Sequence, residues 1–167
     1  MATRSTIIQK LDNGKYRSIY CHWDGYLSNN GKILFTNYKD KEKVSKLMEL
    51  GSLSSLRAEV DIPEGVTHSM DNQHSDITIS YFRDRGNEKW EDVKYLDKNT
   101  LKKSIDEFYS YIYIDGDWYV TKDLIMLNYN GVNIGDGDEN HVHLISNIIN
   151  IEGIDLVLLS DFESLLK

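Results

Sequence analysis

The chain has 167 residues, 40% of them apolar and 28% charged, which suffices to bury one core without disulfide or metal staples. Eleven tyrosines and three tryptophans against a single proline exclude general disorder. A net charge of −8 argues against a broad phosphate-binding surface, and so against an extended nucleic-acid partner, but leaves room for a small anion site or an acidic face that meets a basic protein.

Cys21 is the only cysteine, so no intramolecular disulfide can form. Residues 1–5 carry no apolar signal-peptide core. The most apolar stretch, Ile148 to Leu159, is interrupted by Asn150, Glu152, Gly153 and Asp155, and is too short and too polar to span a bilayer. A cytoplasmic protein without a membrane partner is expected.

Thr3 to Lys10 and Lys15 to His22 read as strands joined by Asp12-Asn13-Gly14, residues that tolerate a tight hairpin turn. Alternation puts Tyr16, Ser18 and Tyr20 on one face of the second strand, and Arg17, Ile19 and Cys21 on the other. A polar, aromatic loop follows from His22 to Gly31. Asn29 or Asn30 is expected to cap a helix to about Tyr38, and Asp40 to cap a second with Val44, Leu47, Met48 and Leu50 buried. Gly51 is placed to stop that helix. The pair reads as a helical hairpin covering one face of a sheet.

Ala58 to Ser75 has weak periodicity and reads as loop. Asp76 to Arg83 alternates like a strand, with Glu91 to Leu96 as its expected hairpin partner. Asn99 or Thr100 is expected to cap a helix carrying Leu101, Ile105 and Phe108. Ser110 to Ile114 and Trp118 to Val120 flank Asp115-Gly116-Asp117, the clearest hairpin signal in the chain. Asp123 to Tyr129 fits helix or strand, and Gly131 to Glu139 is a glycine- and aspartate-rich turn region. Strands are expected over His141 to Asn150 and Ile154 to Leu159, then a short helix over Asp161 to Leu166 capped by Ser160. Together these elements imply an α+β fold: an antiparallel sheet of hairpins carrying a helical hairpin and a further helix. Residues 1–121 form the expected core domain, and 122–167 a C-terminal extension packed on it.

Ala2-Thr3-Arg4-Ser5, then Ile19-Tyr20-Cys21-His22-Trp23-Asp24-Gly25-Tyr26, resembles a group of small uncharacterised proteins encoded in bacteriophage and prophage genomes. Asn30-Gly31-Lys32-Ile33-Leu34, Tyr38, Leu50 to Leu56, Arg83-Asp84-Arg85-Gly86 and Asp117 to Val120 extend the likeness over residues 2–120. Leu124 to Lys167 departs from it. The resemblance implies no catalytic residue and no cofactor. It does imply a phage setting, in which many small proteins disable host defences, some by sequestering nucleotide signals and others by blocking defence proteins.

Six loop and strand-end residues form the main candidate ligand site, with a seventh from the first strand. Trp23 and Tyr26 can stack on a planar ring, while His22 and Asp24 supply direction through imidazole and carboxylate. Arg83 and Arg85, two apart on an expected strand, share a face and can grip a phosphate, joined by Arg4. A packing explanation fits the same residues: Trp23 as a core plug, Asp24 closing its own turn, and Asp84 pairing an arginine. Cys21 beside His22 is poor geometry for a nucleophilic pair, because strand neighbours point to opposite faces. Asp136, Asp138, His141 and His143 suggest a metal site, although the spacing fails a calcium loop at Asn147. His68 and His74 lie in the weakly patterned segment, with nothing to fix their geometry.

The reading that follows is a non-enzymatic binding protein for a small phosphorylated or nucleotide-like ligand. Its alternatives are an inhibitor that meets a host defence protein through its acidic surface, and a metal-dependent hydrolase. The 122–167 segment is a candidate for the protein contact or for a homo-oligomer seam. No P-loop, Gly-x-Ser-x-Gly elbow or His-Glu-x-x-His motif is present.

Overall fold

The computed structural model describes residues 2–85, 93–105, 109–121 and 148–162. Strand β1 (Ser5–Lys10) pairs antiparallel with β2 (Tyr16–Cys21), from Ser5↔Cys21 to Lys10↔Tyr16. The turn between them places Gly14 at φ +79°, and the Asn13 side chain accepts the Lys15 N–H. Hairpins also form where the remaining turn residues allow. β6 (Tyr109–Ile114) and β7 (Asp117–Thr121) meet across Asp115-Gly116, both at positive φ. β8 (Ile148–Ile151) and β9 (Ile154–Leu158) meet across Glu152-Gly153 in the same way.

With β3 (Leu53–Ser55) and β4 (Ile79–Ser80), these hairpins form one mixed sheet in the order β4-β3-β2-β1-β6-β7-β9-β8. The expected purely antiparallel sheet is corrected here, because β1 lies parallel to β6 and β3 (Leu53–Ser55) parallel to β2. Turn chemistry fixes pairing within a hairpin but not how hairpins approach one another, and here burial of two apolar faces decides it. β9 pairs β7, so residues 148–158 continue the sheet begun by the N-terminal hairpin.

One face of the sheet presents Ile7, Ile19, Cys21, Tyr111, Val120 and Val157. It is covered by helices α1 (Lys32–Asn37) and α2 (Lys41–Glu49), through Leu34, Val44, Leu47 and Met48. The opposite face gathers Ile8, Tyr16, Ile112 and Leu156 against Leu101 of α4 (Lys98–Ser104). Each of these aliphatic side chains is essentially out of water, worth about 1.5–3 kcal/mol apiece.

Several local expectations hold and others shift. Asp40 caps α2 by accepting the Lys43 N–H, and Gly51 follows the helix at φ +71°. α4 is capped by Asp97 rather than by Asn99 or Thr100, and Thr100 instead returns a bond to the Asp97 N–H. Neither Asn29 nor Asn30 caps α1, which is entered through a π-helical turn over Leu27–Gly31. The strand expected to reach Arg83 stops after Ile79–Ser80 (β4), and Tyr81–Arg85 turns into helix α3. β5 (Lys94–Leu96) pairs with β2 rather than with β4. A 3-10 turn, Leu159–Phe162, ends the described chain. Among the described residues, no helix is long and apolar enough to cross a membrane.

Candidate binding face at the end of strand β2

β2 runs out of its pairing with β1 at Cys21, and β3 then takes over. The His22 N–H donates to the Leu53 carbonyl and the Trp23 N–H to that of Ser54, each at 3.0 Å. Asp24 then adopts φ +54°, which reverses the chain back over the start of β1. There the Gly25 N–H donates to the Thr3 carbonyl at 2.7 Å. A Cβ on Gly25 would lie 2.5 Å from the Arg4 carbonyl oxygen and 2.8 Å from Ser5 Cβ, so only glycine permits this crossing.

The underside of the loop is tied to the core. Asn30, fully buried, reaches Ser5 Oγ, Cys21 Sγ and the Trp23 carbonyl with its amide nitrogen at 3.0, 3.4 and 3.3 Å. Asn30 is therefore a pin for the loop rather than a helix cap. From below, the Tyr111 hydroxyl donates to the Gly25 carbonyl at 2.8 Å. Burial pushes the Cys21 thiol up to about 11, against weaker lowering by its hydrogen bonds with Asn30 and others. It stays a protonated packing group at neutral pH.

The rings of this pinned loop face outward. Trp23 is 43% exposed and Tyr26 39%, and Asp24 is exposed beside them. Trp23 is thus not a core plug. The His22 ring stands edge-on to the Trp23 ring, centroids 4.7 Å apart at 86°. Its Nδ1 lies 2.7 Å from the Tyr20 hydroxyl, on the strand face shared with Tyr16 and Ser18. Burial raises the pKa of that hydroxyl, the Arg4 charge pulls it back, and the Tyr81 phenol pushes it up. The Arg85 guanidinium rests over the Tyr81 ring, 5.1 Å from its centroid. Tyr20, His22 and Trp23 are thus in contact at the end of β2, while Tyr81, carrying Arg85 on its ring, is held beside β3, where its N–H donates to the Ser52 carbonyl.

No protein-family model, curated protein or solved structure matches this chain. The likeness to the phage-encoded group rests on the motifs quoted above.

Arg83 has a different role from the one expected of it. In a strand, Arg83 and Arg85 would share a face; in α3 they diverge by roughly 200°. Arg83 turns inward. Its guanidinium donates to both oxygens of the buried Asp84 carboxylate, at 2.8 and 3.1 Å, to the Thr78 carbonyl at 2.6 Å, and to that of Val60. The same carboxylate accepts the Ser80 N–H at 2.7 Å and faces His68 Nε2 at 3.3 Å. The His68 side chain is wholly buried, and its Nδ1 accepts the His74 N–H. Arg83 and His68 thus tie the 57–78 segment to α3 and leave Arg85 to the surface.

Tyr20 and Tyr81 are residues of this region that the sequence did not single out. Period-2 alternation from Tyr20 to His22 carried the signal for the first, while Tyr81 depended on α3 forming. The metal candidates Asp136, Asp138, His141 and His143 lie outside the described residues. Among the described residues, no three His, Cys, Asp or Glu side chains gather as a metal would need.

Proposed function

We propose that this protein is a non-enzymatic binding protein whose recognition surface is the face built from Arg4, Tyr20, His22, Trp23, Tyr81 and Arg85. The ligand class that suits it is a planar, phosphorylated or nucleotide-like molecule. Its ring would stack on Trp23, with Tyr26 and Asp24 at the loop margin, and its charge would meet the guanidinium groups. The observation carrying this reading is the exposed Trp23 ring on a loop whose backbone is pinned from below. An aromatic ring held rigid in water gives contact area with little ordering cost on binding. The motif likeness to phage-encoded proteins supports a specific version, sequestration of a host nucleotide signal.

The test is a titration of the purified protein with a panel of mono-, di- and cyclic nucleotides, read by tryptophan fluorescence and by mass spectrometry of the recovered ligand. The expected result is saturable quenching, lost in Trp23→Ala, with ligand released intact. Quenching that persists in Trp23→Ala, or a cleaved ligand, overturns it.

A second reading is inhibition of a host defence protein, supported by the exposed aromatic side chains of this surface. Phe82, next to Tyr81, is also 51% exposed, and exposed aromatics with arginines make up typical protein-binding hot spots. A stable complex recovered from host lysate whose formation needs Trp23, with no nucleotide response, selects this second reading.

A further inference from the structure

We infer that the cleft between the end of helix α1 and the β6–β7 turn is a second binding site, one that takes a small aromatic carboxylate. It shares no residue with the surface around Trp23 and does not depend on that surface being a binding site.

The cleft encloses about 300 Å³, the lower end of the range for small-molecule sites. Phe35 and Lys39 line it from the α1 side, Gly116 to Trp118 from the turn, and Leu158 and Ser160 from the end of β9. Phe35 packs against the core and stays half-buried, and the Lys39 ammonium rests over its ring, 5.2 Å from the centroid. The backbone that joins α1 to α2 is held from the sheet. The Trp118 indole N–H donates to the Tyr38 carbonyl at 2.7 Å, and the Tyr113 hydroxyl to that of Lys39 at 2.8 Å. The Tyr113 and Trp118 rings are themselves in contact, centroids 5.1 Å apart. The aromatic walls are therefore set before a ligand arrives, which lowers the ordering cost of binding.

Charge selects the ligand class. Among the described residues, no carboxylate lies within ion-pair distance of the Lys39 ammonium. Asp40, next in sequence, is engaged at the α2 cap, where it accepts the Lys43 N–H. Asp117 precedes Trp118 in β7, and successive side chains of a strand point to opposite faces. Lys39 is thus the charge that the aromatic walls present. A ligand with a planar ring and a carboxylate meets both: the ring against Phe35 and Trp118, the carboxylate accepting a charge-assisted hydrogen bond from Lys39. The larger cleft across Gly116, about 460 Å³, lacks this combination. Tyr113 is its one aromatic lining residue, and its Lys41 already pairs with Asp12 at 2.7 Å.

The experiment is a titration of the whole, nitrogen-15-labelled chain with sodium 2-naphthoate, read from assigned backbone and indole N–H resonances, with neutral 2-naphthamide and sodium acetate in parallel. The expected result is saturable shifts at Phe35, Lys39 and Trp118, with a dissociation constant of about 1 mM or tighter. Lys39→Met keeps the apolar stem and removes the charge, and Lys39 is exposed, so the fold should be unchanged. This variant should bind naphthoate about threefold to fivefold more weakly and the amide equally well. Phe35→Leu, which keeps an apolar group against the core, should weaken both. Equal naphthoate affinity in Lys39→Met overturns the inference, as do acetate shifts of the same size at the same residues, or no saturation at the cleft. Shifts confined to the Trp23 loop sink it and spare the reading of the Trp23 surface. Saturation at the cleft with no nucleotide response at Trp23 does the reverse.

Discussion

The Arg83 guanidinium grips the carboxylate of its own sequence neighbour, Asp84, and both face into the protein rather than out to solvent. The pairing is possible because β4 ends at Ser80 and the chain turns helical, which rolls Arg83 and Asp84 inward and Arg85 outward. Removing one partner of such a pair leaves the other charge, and here also the Ser80 N–H, without its acceptor. Asp84→Ala is therefore expected to destabilise the protein by about 3–5 kcal/mol, read as a lower urea midpoint at unchanged slope. Arg83→Lys should recover little, since an ammonium cannot serve two carboxylate oxygens and two carbonyls in one plane. Arg85→Ala, by contrast, should leave the midpoint nearly unmoved.

The three glycines of the N-terminal region differ in why they are glycine. A Cβ at Gly14 meets nothing within 4 Å, so Gly14→Ala faces only the positive φ, a cost of about 1 kcal/mol. Gly25→Ala meets backbone at 2.5 Å and must lift the loop off β1, a cost of about 2 kcal/mol or more. Gly31→Ala presses on the buried Leu27 Cδ1 at 2.9 Å and on the buried Tyr111 ring at 3.3 Å, side chains rather than backbone. Thermal melts of the three variants should rank Gly25→Ala lowest, and that variant alone should also weaken ligand binding by the Trp23 loop.

Trp23 and Trp118 separate binding from stability. Trp118 is buried and donates its indole N–H to the Tyr38 carbonyl at 2.7 Å, so Trp118→Ala should cost about 3–5 kcal/mol. Trp23→Ala should cost much less than Trp118→Ala, because Trp23 is 43% exposed and its loop is held by backbone hydrogen bonds. Chemical denaturation of both variants checks the contrast, and only the Trp23 substitution should abolish nucleotide quenching in a folded protein.

Alkaline pH should unfold this protein earlier than its surface charge suggests. Burial raises the Cys21 thiol from 9.0 to about 11, and raises the Tyr38 and Tyr111 phenols above their ordinary range. Well below pH 9.0 these groups are protonated in folded and unfolded chains alike, and their contribution is constant. Above it the unfolded chain ionises first, so Cys21 withdraws stability from 9.0 up to about 11, and the phenols add to the loss at higher pH. The slope is about 1.4 kcal/mol per pH unit for each group. Urea midpoints at about pH 8 and pH 10 should fall accordingly, and Cys21→Ala should shallow the fall. In native buffer at pH 8 the thiol should resist alkylation, and react fully once the chain is unfolded.

Much of the local structure was legible from residue order alone. The Asp12-Asn13-Gly14 and Asp115-Gly116 turns, the alternation of Tyr16 to Cys21, and the Asp40 cap with its buried Val44, Leu47 and Met48 depend on neighbours within a few positions. So did the candidacy of His22 and Trp23, two aromatic groups at a strand end beside a glycine. What required the tertiary structure is everything that joins distant segments. The parallel pairing of β1 with β6, the inward turn of Arg83 and the role of Asn30 as a pin all depend on contacts far apart in the chain. The reason is physical: a turn or cap is decided by backbone sterics and one or two local hydrogen bonds. The side of an element on which a charged residue ends up is decided by which buried acceptors lie opposite, and the amino-acid order does not display those.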